Sequence, residues 1–416
     1  MVYVKSKDGK ALMPTSNAKA RKLLKQKKAK VVSLRPFVIK LTYKTKTEYT
    51  QKLHLGVDSG YSNIGFSVID AKQEYIAGEV KLLEGMKKKL LEKSSYRKIR
   101  RSRLRYRKAR WNNRVKSKKK GRLAPSVENK INTHIKIIAD LYKILPITNI
   151  IVETASFDIQ KIKNPEIHNE EYQQGEQLGF WNVREYVLFR DNHTCQCCKG
   201  KSKDKILNVH HIESRKTGGN APNNLITLCE TCHKGYHNGT VELPKTIKRG
   251  MSFKDAAFMG IMRWSFYNRL KEIYPNVFMT YGYITKDTRI KNNLPKDHYI
   301  DARCISGNPN AEPLGYYFYQ KKVRCHNRQI HKANILKGGK KKLNQASYLV
   351  KGFRLFDTVE FEGQICFIFG RRSSGYFDIR KLNGEVISRS VSWKKLKILE
   401  TRKSLLMERR ALPPIT

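Results

Sequence analysis

The chain has 416 residues, enough for two or three domains, and its 85 Lys and Arg against 35 Asp and Glu give a net charge of +50. This excess is far beyond what solubility requires, so it indicates a polyanionic partner, with nucleic acid favoured over an anionic membrane surface. No apolar run approaches the roughly 20 residues that span a bilayer. We therefore expect no membrane partner, no secretion signal and, with four of the eight cysteines in a zinc pattern, a reducing cytoplasmic location.

The first 50 residues predict a small basic domain. Their pattern favours a strand at 1–4, a helix at 17–27 capped by Ser16, and strands at 30–34 and 37–43. Lysines occur throughout, and this charge favours nucleic-acid binding over a merely solvated surface.

Two acidic residues follow buried strands. Residues 52–70 predict a β-hairpin in which Asp58 closes the first strand beside a glycine turn. An acid there is a common metal ligand and an equally common turn residue. Residues 126–145 predict an amphipathic helix, and the apolar strand after it ends at Glu153. A functional role is favoured for Glu153 because it does not lie on a solvated charged helix.

Residues 87–122 form a strongly basic segment, with 19 of 36 residues Lys or Arg and Glu92 as the single acid. Most are good helix formers, so a long helix is predicted. A solvated helix would mix charge signs, whereas this one can persist against phosphates. Its predicted nucleic-acid-binding arginines are Arg97, Arg100, Arg101, Arg103, Arg105, Arg107, Arg110 and Arg114.

Two Cys-x-x-Cys pairs predict a structural zinc site. They are Cys195 with Cys198 and Cys229 with Cys232, and four thiolates at this spacing leave no position for water. Buried free thiols are the alternative, which the paired spacing disfavours. Cys197 lies between two ligands and is not expected to be one.

Four histidines lie inside this zinc frame. His210 and His211 are adjacent at the end of a short apolar strand and so point to opposite faces, which lets one hold a metal while the other works separately. His233 and His237 are four residues apart, on one face of a helix that we expect to start at Cys232. A satisfied core position is the ordinary alternative for one histidine, but four at these spacings favour a site.

After the zinc frame, residues 253–273 predict a helix, 280–295 a strand and loop, and 296–307 a further helix. On that last helix His298 and Asp301 share a face with apolar side chains, where an acid is costly unless a cation pairs with it.

Residues 348–399 predict a run of short strands, interpreted as a five- or six-stranded barrel, with a hairpin turn at Asn383-Gly384. The tail beyond, with Arg402, Arg409 and Arg410, is expected to be mobile.

The zinc frame resembles the HNH, or ββα-metal, nuclease fold. The resemblance rests on Cys195-x-x-Cys198, Val209-His210-His211-Ile212, Asn224-Leu225 and Leu228-Cys229-x-x-Cys232-His233. It implies that His211 is the general base that activates water. It also implies that His210, with His233 or His237, holds one Mg²⁺, and that Asn224 orients the base or touches the metal.

Three further segments, GVDSGYSNIGFSV, IIVETASF and DHYIDA, are similar to the three parts of a RuvC-type, RNase H-like nuclease. This resemblance implies that Asp58, Glu153 and Asp301 together hold two Mg²⁺ for phosphodiester hydrolysis. It also implies that His298 is a base or a phosphate contact.

The order of these parts resembles the IscB family, compact transposon-encoded relatives of the CRISPR type II effector nucleases. The segment ALMPTSNAKARKLL looks like that family's PLMP domain, with Ala11 where proline is usual. The fold class implied is a multidomain α/β protein with a split RuvC core, an inserted HNH module, an arginine-rich bridge helix and a small C-terminal β-barrel. The implied boundaries are 1–50 PLMP-like, 51–86 RuvC I, 87–125 bridge helix, 126–179 RuvC II, 180–243 HNH, 244–312 RuvC III and 313–416 for contacts with guide RNA and a target-adjacent motif.

The resemblance implies an RNA-guided DNA endonuclease, monomeric as a protein, whose partners are a noncoding guide RNA (omega RNA) and double-stranded DNA. The HNH site is expected to cut the guide-paired strand and the RuvC site the displaced strand. The alternatives are a guide-independent nuclease of homing or restriction type, a non-catalytic nucleic-acid binder, and a basic ribosome-associated protein. The histidine set and the separate acids argue against the last two.

Overall fold

The computed structural model describes residues 1–45, 47–86, 89–95, 123–154, 176–177, 179–180, 182–214, 220–248, 250, 254–324, 331–333, 341–343 and 346–412. The chain divides into two compact units. Met1–Ser156 and Phe258–Thr416 form the first unit, and Phe157–Ala257 forms the second. Within the described ranges, no helix combines the length and apolar character that crossing a bilayer requires.

Strands and helices alternate irregularly along the described parts of the chain. In chain order they are β1 (Val2–Lys5), β2 (Ala11–Thr15), α1 (Asn17–Lys25), β3 (Ala29–Leu34), β4 (Phe37–Leu41), β5 (Leu53–Ser59), β6 (Asn63–Ile69), β7 (Glu74–Lys81), α2 (Pro125–Tyr142), β8 (Ile147–Glu153), α3 (Val183–Arg190), β9 (Leu207–His211), β10 (Leu225–Cys229), α4 (Glu230–His237), α5 (Lys254–Ile273), β11 (Val277–Thr280), α6 (Gly282–Lys291), α7 (His298–Ile305), β12 (Tyr316–Lys322), β13 (His331–Ala333), β14 (Lys341–Leu343), β15 (Thr358–Phe361), β16 (Gln364–Arg371), β17 (Tyr376–Arg380), β18 (Val386–Ser392), β19 (Lys397–Glu400) and β20 (Leu405–Ala411).

The N-terminal segment forms a four-stranded sheet in the order β2-β1-β4-β3, with α1 beside it. Ser16 caps α1 as predicted, because its side chain accepts a hydrogen bond from the backbone N–H of Lys19. Strand β2 was not predicted. The sheet is tied to the rest of its unit by the Tyr3 hydroxyl, which donates to the buried carbonyl of Tyr75 at 2.9 Å.

A seven-stranded mixed sheet forms the centre of the first unit, in the order β11-β8-β5-β6-β7-β12-β20. The predicted hairpin is β5 and β6, which pair antiparallel, while β8 lies parallel to β5 and β11 parallel to β8. Leu55 on β5 and Ile150 on β8 are both fully buried. Helices α2 and α5 contribute to the same core through Ile138 and Phe266. The sheet therefore brings together chain segments that are far apart in sequence.

Two interpretations of the sequence are wrong. The segment predicted as strand and loop at 280–295 contains helix α6, and the preceding strand, β11, ends at Thr280. The tail predicted to be mobile forms edge strand β20, paired with β12 over Tyr316 to Lys322. Arg409 and Arg410 of that strand lie over tyrosine rings, with guanidinium carbons 4.5 and 3.5 Å from the ring centroids. Strand pairing and these cation–π contacts fix the tail.

The C-terminal strands form a five-stranded antiparallel sheet in the order β18-β17-β16-β15-β19. Its core contains Val359, Ile368 and Phe377, each fully buried. Closure of this sheet into the predicted barrel stays a prediction. Strands β12 and β20, which also lie beyond residue 312, belong to the central sheet instead.

The second unit contains α3, the antiparallel pair β9 and β10, and α4. Helix α4 begins at Glu230, two residues before the predicted start, and Cys229 caps it by accepting from the backbone N–H of Cys232. A five-residue core that includes Leu228 and three cysteines holds these elements together. In the basic segment, residues 89–95 are helical, and the predicted helix from 96 to 122 lies outside the described residues.

Candidate active sites

Two glycines allow helix α7 to lie directly on the central sheet. A Cβ atom on Gly56 would lie 2.0 Å from the carbonyl oxygen of Ala302, and one on Gly65 would lie 1.9 Å from that of His298. Both distances are far below van der Waals contact, so only glycine fits at these positions. The close approach places His298 and Asp301, one turn apart on α7, against the end of β5 where Asp58 lies.

Asp58 and His298 are directly joined. His298 Nδ1 lies 2.6 Å from Asp58 Oδ2, and the amide nitrogen of Asn63 lies 3.1 Å from His298 Nε2. A neutral imidazole with its proton on Nδ1 satisfies both contacts, donating to Asp58 and accepting from Asn63. The hydrogen bond to Asp58 raises the pKa of His298, although burial acts in the opposite direction.

Glu153 ends β8 and faces the start of α6. The Thr285 hydroxyl donates to Glu153 Oε2 at 2.5 Å, and a Cβ on Gly282 would lie 3.0 Å from Oε1. Burial raises the pKa of Glu153 to about 7, and the nearby charge of Asp58 acts in the same direction. The glutamate is therefore poised between charged and neutral near neutral pH.

Asp301 completes a set that we call the carboxylate site, made of Asp58, Glu153 and Asp301. Burial and then the charge of Asp58 raise the pKa of Asp301. Arg289 Nε lies 3.0 Å from Asp301 Oδ1, and the two side chains form an ion pair. Their alignment does not allow a hydrogen bond, so among the described residues the buried Oδ1 of Asp301 has no hydrogen-bond partner. The oxygens of the three acids do not all approach within 4.8 Å of one another.

The donor set of the carboxylate site fits magnesium. Mg²⁺ prefers carboxylate and water oxygens, and an unsatisfied buried oxygen with mutually repelling neighbours is an environment that a cation relieves. Sequence reasoning named the three acids and His298 but missed Asn63, Thr285 and Arg289. Thr285 and Arg289 lie on α6, which was interpreted as a loop. It also missed Glu79. Burial raises the pKa of Glu79 above its usual value, and the charge of the nearby His298 opposes this shift only in part.

The four predicted zinc cysteines converge in the second unit. Their sulfur atoms all lie within 4.8 Å of one another, and Cys198 Sγ is 3.8 Å from Cys229 Sγ. A tetrahedral site with Zn–S bonds of about 2.3 Å has sulfur–sulfur edges of about 3.8 Å. All four thiols are free, and hydrogen bonding by Ser202 lowers the pKa of Cys198 to about 6. The cluster is suited to zinc, and Cys197 lies outside it.

A second cluster, the three-histidine cluster, contains His210, His233 and His237 with ligand atoms within 4.8 Å of one another. His210 is buried, and its Nε2 has no hydrogen-bond partner among the described residues. Burial, followed by the charges of the other two histidines, lowers the pKa of His210 to about 4. The ring is therefore neutral at pH 7, with a lone pair available to a metal.

This cluster does not fit the magnesium predicted for it. Magnesium selects oxygen ligands, whereas imidazole suits Zn²⁺, Fe²⁺, Ni²⁺ or Cu²⁺, and no carboxylate joins the cluster in the described part of the chain. The three histidines named from the sequence lie together, and their binding of a metal ion, like the identity of that ion, stays a prediction.

His211 lies beside the cluster but outside it. Its Nε2 is 3.0 Å from Asn220 Oδ1, so Nε2 carries the proton and Nδ1 is left as a possible base. His210 and His211 both line one cavity of about 370 Å³. The same cavity is lined by Ser214, Tyr236, His233 and His237. The cavity has room for a phosphodiester between base and metal ligands.

Asn224 has a more indirect position than predicted. It is fully buried, its Oδ1 accepts from the backbone N–H of Glu213 at 2.9 Å, and its Nδ2 donates to the carbonyl of Glu213 at 3.0 Å. These bonds hold the backbone two residues after His211, so Asn224 positions the base through the chain. The eight predicted nucleic-acid-binding arginines from Arg97 to Arg114 lie outside the described residues.

Comparisons with known proteins agree with part of this description. Residues 2–175 match the family described as RRXRR protein, and residues 195–239 match the family described as HNH endonuclease. The second match covers the four cysteines and all four histidines, so it supports a nuclease. No relative was found among curated proteins.

Three crystal structures of Streptococcus thermophilus Cas9, in complex with AGGA, GGAA and AGAA PAM, are similar to this chain at 13%, 14% and 12% identity. Each alignment covers 51% of this chain and 30% of the Cas9 chain, with TM-scores of 0.32, 0.33 and 0.33. The chain thus spans less than a third of those proteins. At these TM-scores the likeness does not define a shared fold.

Proposed function

We propose that this chain is an RNA-guided DNA endonuclease of the IscB kind, with one catalytic site for each DNA strand. The observation that carries the proposal is the presence of two chemically different candidate sites in one strongly basic chain. The carboxylate site joins Asp58, Glu153 and Asp301 from distant parts of the sequence, as the three segments of an RNase H-like RuvC core would. The second unit carries the histidine pair of an HNH nuclease.

At the carboxylate site the proposed reaction is phosphodiester hydrolysis on the displaced strand. Two bound Mg²⁺ would supply Lewis-acid stabilisation of the attacking and leaving oxygens. Asp58 holds His298 in one tautomer through the 2.6 Å contact, so Nε2 of the imidazole is directed at Asn63. His298 can then contact the phosphate or move a proton once Asn63 releases that nitrogen.

In the HNH module the proposed base is His211. The hydrogen bond to Asn220 fixes the proton on Nε2, so Nδ1 takes the proton from water in the shared cavity. A divalent ion on the three-histidine cluster would supply positive charge next to the phosphate. Asn224 keeps the strand end in place through Glu213. This site is proposed to cut the guide-paired strand.

The remaining parts have proposed roles by the same family resemblance. The basic segment at 87–125 is proposed as the bridge helix that binds guide RNA, and zinc on the four cysteines as the structural centre of the HNH module. The segment at 313–416 is proposed to contact guide RNA and a target-adjacent motif. A cytoplasmic, transposon-associated protein that is monomeric in its ribonucleoprotein fits this proposal, with omega RNA as the guide.

The test is strand-resolved cleavage of an end-labelled duplex by the full chain with the RNA that copurifies with it, Mg²⁺ for the carboxylate site and Co²⁺ for the three-histidine cluster. His211→Ala is expected to spare the guide-paired strand, and Asp58→Ala the displaced strand, while both still bind target. Sequence-independent cutting without RNA would instead identify a guide-independent nuclease. Loss of cutting on both strands in folded, target-bound Asp58→Ala would contradict the two-site assignment.

A further inference from the structure

Three aromatic side chains are exposed close together at the edge of the central sheet. Phe278 on edge strand β11 is 53% exposed, and Tyr281 and Tyr283 at the start of α6 are 42% and 72% exposed. The two tyrosine rings lie within 8° of parallel, with centroids 6.0 Å apart. The described part of the chain thus presents a pair of aligned aromatic faces to solvent.

This tyrosine pair is fixed to the carboxylate site by the backbone. Tyr281 and Tyr283 are the two neighbours of Gly282, which approaches Glu153 so closely that a Cβ there would lie 3.0 Å from Oε1. Thr285, on the same helical turn, donates to the other Glu153 oxygen at 2.5 Å. Because one residue step spans about 3.8 Å, both rings start within a single step of the backbone that contacts Glu153.

We propose that Tyr281 and Tyr283 form a stacking platform for an unpaired base of the DNA strand whose phosphodiester lies at the carboxylate site. The inference rests on the proposed function and adds the residues that position the strand cut at that site. A base inside a duplex has both faces covered by its neighbours, so an exposed tyrosine face selects a single strand. Tyr283, at 72% exposure, offers the more accessible ring, and the ring of Tyr281 lies nearly parallel to it.

The charge around the platform favours the same occupant. Lys286 is three residues after Tyr283, on the same side of α6, and it is exposed. A cation beside an aromatic face is the combination that grips a nucleotide, with the ring on the base and the ammonium on the phosphate. Stacking is tolerant of base identity, so the platform positions the strand without reading its sequence.

The experiment uses the full chain with its copurified RNA, Mg²⁺, Co²⁺ and an end-labelled duplex target. Tyr283→Ala is compared with Tyr283→Phe, which keeps the ring, and with Trp264→Ala, which removes an aromatic ring that is 49% exposed on α5. Stacking worth about 1–3 kcal/mol per base corresponds to a roughly 5- to 150-fold slower cut of the displaced strand in Tyr283→Ala. Tyr283→Phe and Trp264→Ala are expected to stay within about twofold of wild type, and the guide-paired strand is expected to be cut at an unchanged rate.

A second readout does not depend on cutting. A 2-aminopurine base in the displaced strand next to the cut loses fluorescence when it stacks. Binding to the Asp58→Ala protein is therefore expected to quench this fluorescence, and the double variant that also carries Tyr283→Ala is expected to leave it unquenched. Equal quenching with and without the Tyr283 ring, or equal slowing of both strands, would overturn the platform. If wild-type protein leaves the displaced strand uncut, the proposed function itself fails, which is a different result from an unaffected Tyr283→Ala.

Discussion

Replacing Gly65 with alanine tests how the carboxylate site is assembled. The added Cβ would lie 1.9 Å from the His298 carbonyl oxygen, whereas ordinary contact begins at 3.4 Å. Helix α7 must therefore retreat by about 1.5 Å at its first turn, since the contact is with backbone that cannot rotate away. The His298–Asp58 hydrogen bond of 2.6 Å would then open to about 4 Å and be lost.

We expect two consequences of this change. Overpacking of this kind destabilises by about 1–3 kcal/mol, so the first unit should unfold earlier in a thermal scan but remain folded at about 25 °C. A misplacement of about 1 Å at a reacting centre costs on the order of 100-fold in rate. Cutting of the displaced strand should fall by that factor, while cutting of the guide-paired strand by the second unit should be retained.

The matched control is Gly260→Ala on helix α5, where an added Cβ meets nothing within 4 Å. Alanine is a better helix former than glycine, so this variant should gain about 0.5–1 kcal/mol and cut both strands normally. Wild-type cutting of the displaced strand by folded Gly65→Ala would refute the close-approach argument. Equal loss on both strands would show that the substitution acts on the whole molecule instead.

Three further predictions concern metals and pH. Cys229→Ser should lose one zinc by metal analysis and unfold the second unit while the first stays folded, whereas Cys197→Ser should keep both the zinc and the fold. The three-histidine cluster should bind Zn²⁺, Ni²⁺ or Co²⁺ in calorimetric titration, and His233→Ala should abolish that binding without releasing the four-cysteine zinc, whereas the heat of Mg²⁺ binding should be the same in His233→Ala and wild type. Burial lowers the pKa of His134 to about 4 from about 6.5 in the unfolded chain, so the unfolded state takes up a proton first as the pH falls. The free energy of unfolding, measured with urea, should therefore drop by about 3 kcal/mol between about pH 6.5 and pH 4. His134→Leu should not show this loss.

The acids and histidines of both sites could be found from the sequence because each lies in a short, ordered context. Asp58 follows alternating apolar residues and Glu153 follows a continuous apolar run, and both patterns predict a buried strand. The alternation of side chains along a strand puts His210 and His211 on opposite faces, whereas in the structure both line one cavity. The local sequence pattern could not predict that these side chains lie close together in the folded protein. Asp58 and Asp301 are brought together by long-range packing of α7 on glycines, and only family resemblance joined them in advance.

In both segments that were misread, contacts with distant parts of the chain override the local sequence pattern. Helix α6 contains Ile284, Thr285, Thr288 and Ile290, β-branched residues that favour strands, so tertiary contacts override local preference there. Thr285 and Arg289, which support the carboxylate site, were missed for that reason. The charged side chains of strand β20 are typical of a mobile terminus. An edge strand, however, is held by backbone pairing on one side, here with β12, and by a partly apolar inner face.

The charge distribution separates binding from cutting. With a net charge of +50, most of the surface attracts phosphate, yet the carboxylate site places three acids together and the charge of Asp58 raises the pKa of both Glu153 and Asp301. A phosphodiester approaching these acids is repelled unless a cation stands between them. Under the proposed function, the basic surface can thus hold nucleic acid in the absence of metal, whereas hydrolysis at the carboxylate site needs the cation. The three-histidine cluster contains no carboxylate among the described residues and imposes no such repulsion, so under the proposed function the two sites should differ in how steeply their cutting depends on metal concentration.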